Sequence, residues 1–192
     1  MIEIRTIYFL AFLAAFVTIL LGVGLYYYLQ ARKRRKYPYG KFEDLLRRLM
    51  SVDRDNVALI ALDLIDESGN QRSPDDTSGP ELDPSDIWDL IGGLKGLEVL
   101  ERNCEVLVDL VFYVQQWYPE ALALTEELRK NAREIQWHLS RLRSAAKIGS
   151  LERSFPDYAQ RAIATYYLMT RRVLSVYEGL NLPGVAELQR AL

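Results

Sequence analysis

The sequence predicts an all-α protein: one N-terminal transmembrane helix followed by a cytoplasmic antiparallel helical bundle. Three observations lead there. Residues 7–29 carry no charged side chain, and five basic residues follow closely. The rest of the chain, about 150 residues, holds apolar positions stepping by threes and fours, enough for one domain with a real core and too few for two.

Residues 7–29, 23 in all, span about 35 Å as a helix, against a hydrocarbon core of ~30 Å. A cleaved signal peptide needs a basic n-region, a shorter apolar core and a small-residue cleavage site. Here residues 1–6, MIEIRT, set Glu3 against Arg5, and the run closes on Tyr-Tyr-Tyr-Leu-Gln. A buried core helix of this length would show a polar face. The run therefore reads as a retained signal-anchor. Arg32, Lys33, Arg34, Arg35 and Lys36 outnumber Arg5. The positive-inside rule then makes residues 1–6 a short extracytoplasmic stub on a single-pass protein of the cell membrane, with the C-terminal domain cytoplasmic. Tyr26, Tyr27 and Tyr28 fall at the inner headgroup level. The basic cluster lies in a juxtamembrane linker, 30–40, where its main role is to set topology; contact with anionic lipid adds about 1 kcal/mol per residue. Gly22 and Gly24 are spaced GxG, not the GxxxG of helix dimers.

The bundle domain is expected over 41–192. Pro38 and Gly40 interrupt helix, after which Phe42, Leu45, Leu46 and Leu49 recur at helical spacing over 41–50. Residues 54–67 admit either helix or a buried strand. Helix is preferred, with Asp53 or Asp55 as cap and Gly69 as stop. The polar, turn-rich stretch near 68–84 reads as a mobile linker. Ser85 then caps one long helix through Ile87, Leu94, Leu107 and Val114, loosened at Gly92, Gly93 and Gly96, and ending before Pro119. Glu101, Arg102, Glu105 and Asp109 exclude it as a second membrane span. A helix over 120–148 places Leu124, Leu128, Ala132, Ile135, Leu139 and Leu142 on one face. Pro156-Asp157 opens another, to Gly179, and Pro183 starts a short terminal one. Short connections between amphipathic helices favour antiparallel neighbours.

Charge and composition exclude several functions. From Tyr37 onward there are 18 basic and 25 acidic residues, with His138 taken as neutral, so no nucleic-acid partner is expected. The single cysteine, Cys104, rules out an internal disulfide and sits on the apolar stripe, which favours a buried structural role. One histidine and one cysteine leave no zinc set, and no Glu-x-x-His pair exists for a di-metal centre. Asp63, Asp66 and Glu67, and Asp75-Asp76, lack a calcium-loop pattern. No phosphate-binding or nucleophile-elbow motif appears.

The stretch WHLSRLRSAAKIG, 137–149, resembles histidine-phosphotransfer domains, small four-helix bundles with an exposed phosphorylatable histidine. The resemblance implies a signalling role for His138, with Arg141 in place of the usual lysine. Leu142 occupies the position where those domains carry glycine. A helix-surface histidine paired with Glu134 is the plainer reading. Phe112, Tyr113, Trp117 and Tyr118 cluster at one helix end, and Tyr158, Tyr166, Tyr167 and Tyr177 populate the last long helix. Core packing accounts for most of them, and a partner surface for the rest. The expected function is that of a membrane-anchored, non-catalytic interaction module, scaffold or assembly subunit, with no catalytic residue, cofactor or metal. Its partners are the lipid bilayer and another protein or a second copy of the chain.

Overall fold

A computed structural model describes residues 4–35, 41–66, 69, 70, 72 and 82–192. Every regular element among them is helical: α1 (Ile4–Arg35), α2 (Phe42–Leu46), α3 (Arg54–Leu64), α4 (Pro84–Ile91), α5 (Gly93–Gln115), α6 (Ala121–Lys147), α7 (Leu151–Gly179) and α8 (Val185–Ala191). The chain divides into two units, Met1–Gly40 and Lys41–Leu192.

The first unit is α1. Its helix continues past the apolar run into the basic cluster, since Gln, Arg and Lys are good helix formers. Its described side chains, 12–26 and 28, are all exposed. Among the described residues no helix is long and apolar enough to cross a membrane; the side chains of the apolar run on either side of that segment lie outside them.

In the second unit, contacts along the helices give their directions. Arg143 near the end of α6 pairs with Glu101 at 2.8 Å, while Thr125 near its start donates to Gln115 at 3.2 Å, so α5 and α6 are antiparallel. Arg172 pairs with Glu127, and Tyr158 meets Trp137 at 5.8 Å between ring centroids, so α6 and α7 are antiparallel too. Hence α5 and α7 run parallel. Leu100 and Leu107 of α5, Leu128, Ile135 and Leu142 of α6, and Val173 of α7 are fully buried between them. Helix α3 lies against α7, with Ala61 and Ile65 packed on Ala164.

The preferred helix after Asp53 is present, and several other local expectations change. Residues 54–64 form helix, capped by the Asp53 carboxylate, which accepts from Asn56 N–H at 3.0 Å. Helix α2 stops at Leu46, earlier than the apolar spacing suggests, because the backbone of Met50 is held elsewhere: Asn103 accepts from its N–H at 2.9 Å and donates to its carbonyl at 2.8 Å. Most of the expected linker near 68–84 lies outside the described residues. Its first part is tied down, since Asn70 N–H donates to Asp66 at 2.7 Å and Arg72 Nε to the Leu62 carbonyl at 2.7 Å.

Asp83, not Ser85, is the N-cap of α4, with Pro84 at the first helical position, where its missing N–H costs nothing. The long helix expected from Ser85 to Val114 is two helices. Gly92 (φ +77) and Gly93 (φ +64) turn the chain in the left-handed region, and a Cβ on Gly93 would lie 2.7 Å from the Trp88 ring. Helix α7 begins at Leu151, ahead of Pro156. An interior proline costs about 3 kcal/mol. Burial of Phe155, 2% exposed against Trp88, contributes about 2–3 kcal/mol and largely offsets it.

Asn103 is 1% exposed and also donates to the Tyr166 hydroxyl at 3.4 Å. Asn103→Ala removes both bonds to the Met50 backbone and the buried one to Tyr166 and is expected to destabilise the bundle by about 1–3 kcal/mol. Urea unfolding followed by circular dichroism checks this: the midpoint falls and the m-value stays constant.

Candidate functional site

Tyr113 near the end of α5, Trp117 just after it and Tyr177 near the end of α7 meet at one end of the bundle. Tyr113 and Trp117, one helical turn apart, meet edge to face at 4.7 Å between centroids. Phe42, at the start of α2, packs its ring 6.5 Å from Tyr113 and 5.7 Å from Tyr177. Tyr177 forms the floor, 1% exposed, its hydroxyl donating to the Leu110 carbonyl at 3.1 Å. The wall opposite is the turn from α7 into α8. Gly184 there has φ +89, and a Cβ on it would overlap the Phe42 ring, so only glycine lets that ring seat. The result is an open groove of about 700 Å³, also lined by Tyr118, Leu182 and Pro183. Trp117 keeps half of its surface exposed (51%). Lys41, Glu43 and Glu187 are the charged residues of the lining. The phenol of Tyr113 is pushed up from its ordinary range by burial and then by the Glu43 carboxylate. An apolar cleft of this size with a few polar groups at its edge suits ligand or peptide recognition.

A second cleft, about 740 Å³, lies between the start of α4 and the α6–α7 turn, lined by Trp88, Asp89, Glu152 and Phe155. Trp88 spends much of its ring on Phe155, at 4.4 Å between centroids, so this cleft offers less free aromatic surface.

The other expected residues are distributed as follows. His138 is 5% exposed, not on the helix surface. It lies between Trp137 at 5.0 Å and Tyr158 at 5.7 Å between ring centroids. Its Nε2 faces the Glu134 carboxylate at 3.8 Å, and its Nδ1 is buried with no hydrogen-bond partner among the described residues. Burial holds its pKa below the ordinary value; Glu134 opposes this and Arg161 adds to it. The ring thus lacks the accessibility that phosphotransfer requires.

Tyr26 and Tyr28 are each 63% exposed. The side chains of Tyr27, Arg32, Lys33, Arg34 and Arg35, and all of Lys36, lie outside the described residues. Cys104 is 1% exposed, its thiol pKa raised by burial. No group of His, Cys, Asp or Glu able to hold a metal ion occurs among the described residues. Of the aromatic residues singled out in the sequence, Tyr113, Trp117, Tyr118 and Tyr177 reach the groove. Phe112 instead carries Arg129 at 5.5 Å, and Tyr167 carries Arg171 at 5.7 Å. Phe42, Glu43 and Glu187 have no signal in the sequence beyond lying at helix starts. Asn103 does have one: it interrupts an otherwise apolar stripe.

No protein-family model, curated protein or solved structure matches the chain.

Because folding holds the His138 pKa below that of the unfolded chain, the unfolded state binds more protons as pH falls below about 6.5. Above that pH proton linkage at the histidine contributes nothing, and below it the linkage destabilises the bundle. Thermal unfolding between about pH 7.5 and about pH 5.5 is therefore expected to show a falling Tm that His138→Leu flattens. An equally steep fall in that variant assigns the dependence to other groups.

Proposed function

We propose that the chain is a single-pass membrane protein whose cytoplasmic helical bundle acts as a non-catalytic interaction module, a scaffold or an assembly subunit, with the aromatic groove as its docking site. The observation carrying this reading is the contrast between the two units. Helix α1 exposes apolar side chains from Phe12 to Leu25 with no polar face, whereas the bundle buries its own in an ordinary core. A helix apolar on every side needs an apolar surrounding. Thr18 is compatible with one, since its hydroxyl donates to the Ala14 carbonyl at 2.8 Å and is satisfied within the helix.

Orientation rests on Arg32, Lys33, Arg34, Arg35 and Lys36 against the single Arg5. The tyrosines Tyr26, Tyr27 and Tyr28 are the natural interface belt. The groove supports the interaction reading because exposed tryptophan and tyrosine are enriched at binding hot spots. The burial of His138 counts against a phosphotransfer role.

Membrane fractionation tests the anchor: the protein is expected to stay with the membranes after an alkaline wash. Replacing both Val17 and Leu20 by arginine costs about 2.5–3.5 kcal/mol of insertion free energy per residue and should move the protein to the soluble fraction. External protease should spare the bundle in intact cells; digestion there refutes the orientation. Crosslinking in native membranes is expected to recover a stoichiometric partner or a homo-oligomer, and recovery of monomer alone refutes the module.

A further inference from the structure

We infer that the aromatic groove is built to receive cationic side chains, so that the bundle's partner is a protein presenting a basic, extended segment; this rests on the interaction-module reading. The chain's own habits elsewhere argue for it. Arg129 lies over Phe112 at 5.5 Å, Arg141 over Trp137 at 5.2 Å and Arg171 over Tyr167 at 5.7 Å. Three partly or largely exposed aromatic faces are thus each covered by an arginine of the same chain. Tyr113 and Trp117, the pair that walls the groove, have no such cation among the described residues.

Carboxylates of both kinds, paired and without an ion pair, occur on the bundle. Elsewhere on the bundle Glu98 and Glu101 pair with Arg143, Asp109 with Arg48, Glu126 with Arg129 and Glu127 with Arg172. Glu43 and Glu187, at the groove, make no ion pair among the described residues. The groove thus brings an aromatic pair with no cation over it together with two carboxylates that have no ion pair. Lys41 is the single basic residue of the lining. An ammonium or guanidinium group placed over the Tyr113 and Trp117 faces, with Glu43 or Glu187 as counter-ion, meets both the aromatic and the carboxylate sources of negative potential. One side chain fills a small fraction of about 700 Å³, and the open, apolar remainder suits the neighbouring residues of an extended segment.

The test uses the full chain in uncharged maltoside micelles and a short fluorescent peptide of alternating arginine and proline, followed by anisotropy. The peptide is expected to bind, to weaken as sodium chloride is raised, and to lose binding when glutamine replaces arginine. Trp117→Ala should weaken binding by about tenfold. Glu43→Lys combined with Glu187→Lys should abolish it, and because both positions are exposed the far-ultraviolet dichroism should not change. Equal binding of the arginine and glutamine peptides overturns the inference, as does an unaltered affinity in the charge-reversed chain. Free arginine amide binding as tightly as the peptide overturns the extended-segment part. If neither peptide binds while crosslinking in membranes still recovers a partner, the groove assignment falls and the interaction-module reading stands.

Discussion

The bundle depends on how α7 is held along α5. Two tyrosine hydroxyls set that placement: Tyr166 accepts from Asn103, and Tyr177 donates to the Leu110 carbonyl. All three side chains are 2% exposed or less. Leucine and valine contacts tolerate sliding, because one apolar side chain replaces another at modest cost. A buried hydroxyl or amide does not, since losing its partner costs about 1–3 kcal/mol. Burial also keeps both phenols protonated: that of Tyr166 is pushed up to about 12 and that of Tyr177 is raised as well. The Tyr177 donor is thus present throughout the physiological range.

The remaining geometry follows from that seam. The short turn after Lys147 returns the chain along α6 and makes the α6–α7 pair antiparallel, so α5 and α7 finish at the same end. There Phe42 wedges between Tyr113 and Tyr177. The turn into α8 must pass close over the Phe42 ring, which accounts for the glycine at 184. The same Asn103 that meets Tyr166 also holds Met50, so one buried amide joins the α2–α3 connection to the α5–α7 seam.

Helix α1 obeys different physics. Its stability as a helix is local, from intrahelical hydrogen bonds and good helix formers, and its apolar surface is unspent. Charge separates along the same boundary, with basic residues at the end of α1 and an acidic excess beyond Tyr37. In the proposed membrane reading this asymmetry is what orients the chain, and the acidic excess is what a basic partner would meet.

By itself, the sequence determined the helical class, the long helix α6 and the C-terminal end of α7 at Gly179, the apolar run with its basic flank, and the burial of Cys104. These are carried by local periodicity, charge and composition, which need no knowledge of distant neighbours. It did not determine that Gly92 and Gly93 divide a helix, that α7 begins before Pro156, or that His138 faces inward. Each of these turns on a tertiary contact: Trp88 against Gly93 and Phe155, and Tyr158 against His138. The groove likewise exists only in three dimensions. Phe42, Tyr113 and Tyr177 are far apart in the chain, and each of them, like Gly184, alone reads as a core aromatic or a turn glycine. Their meeting was decided by the parallel seating of α5 and α7, because the buried Asn103, Tyr166 and Tyr177 find their partners only in that register.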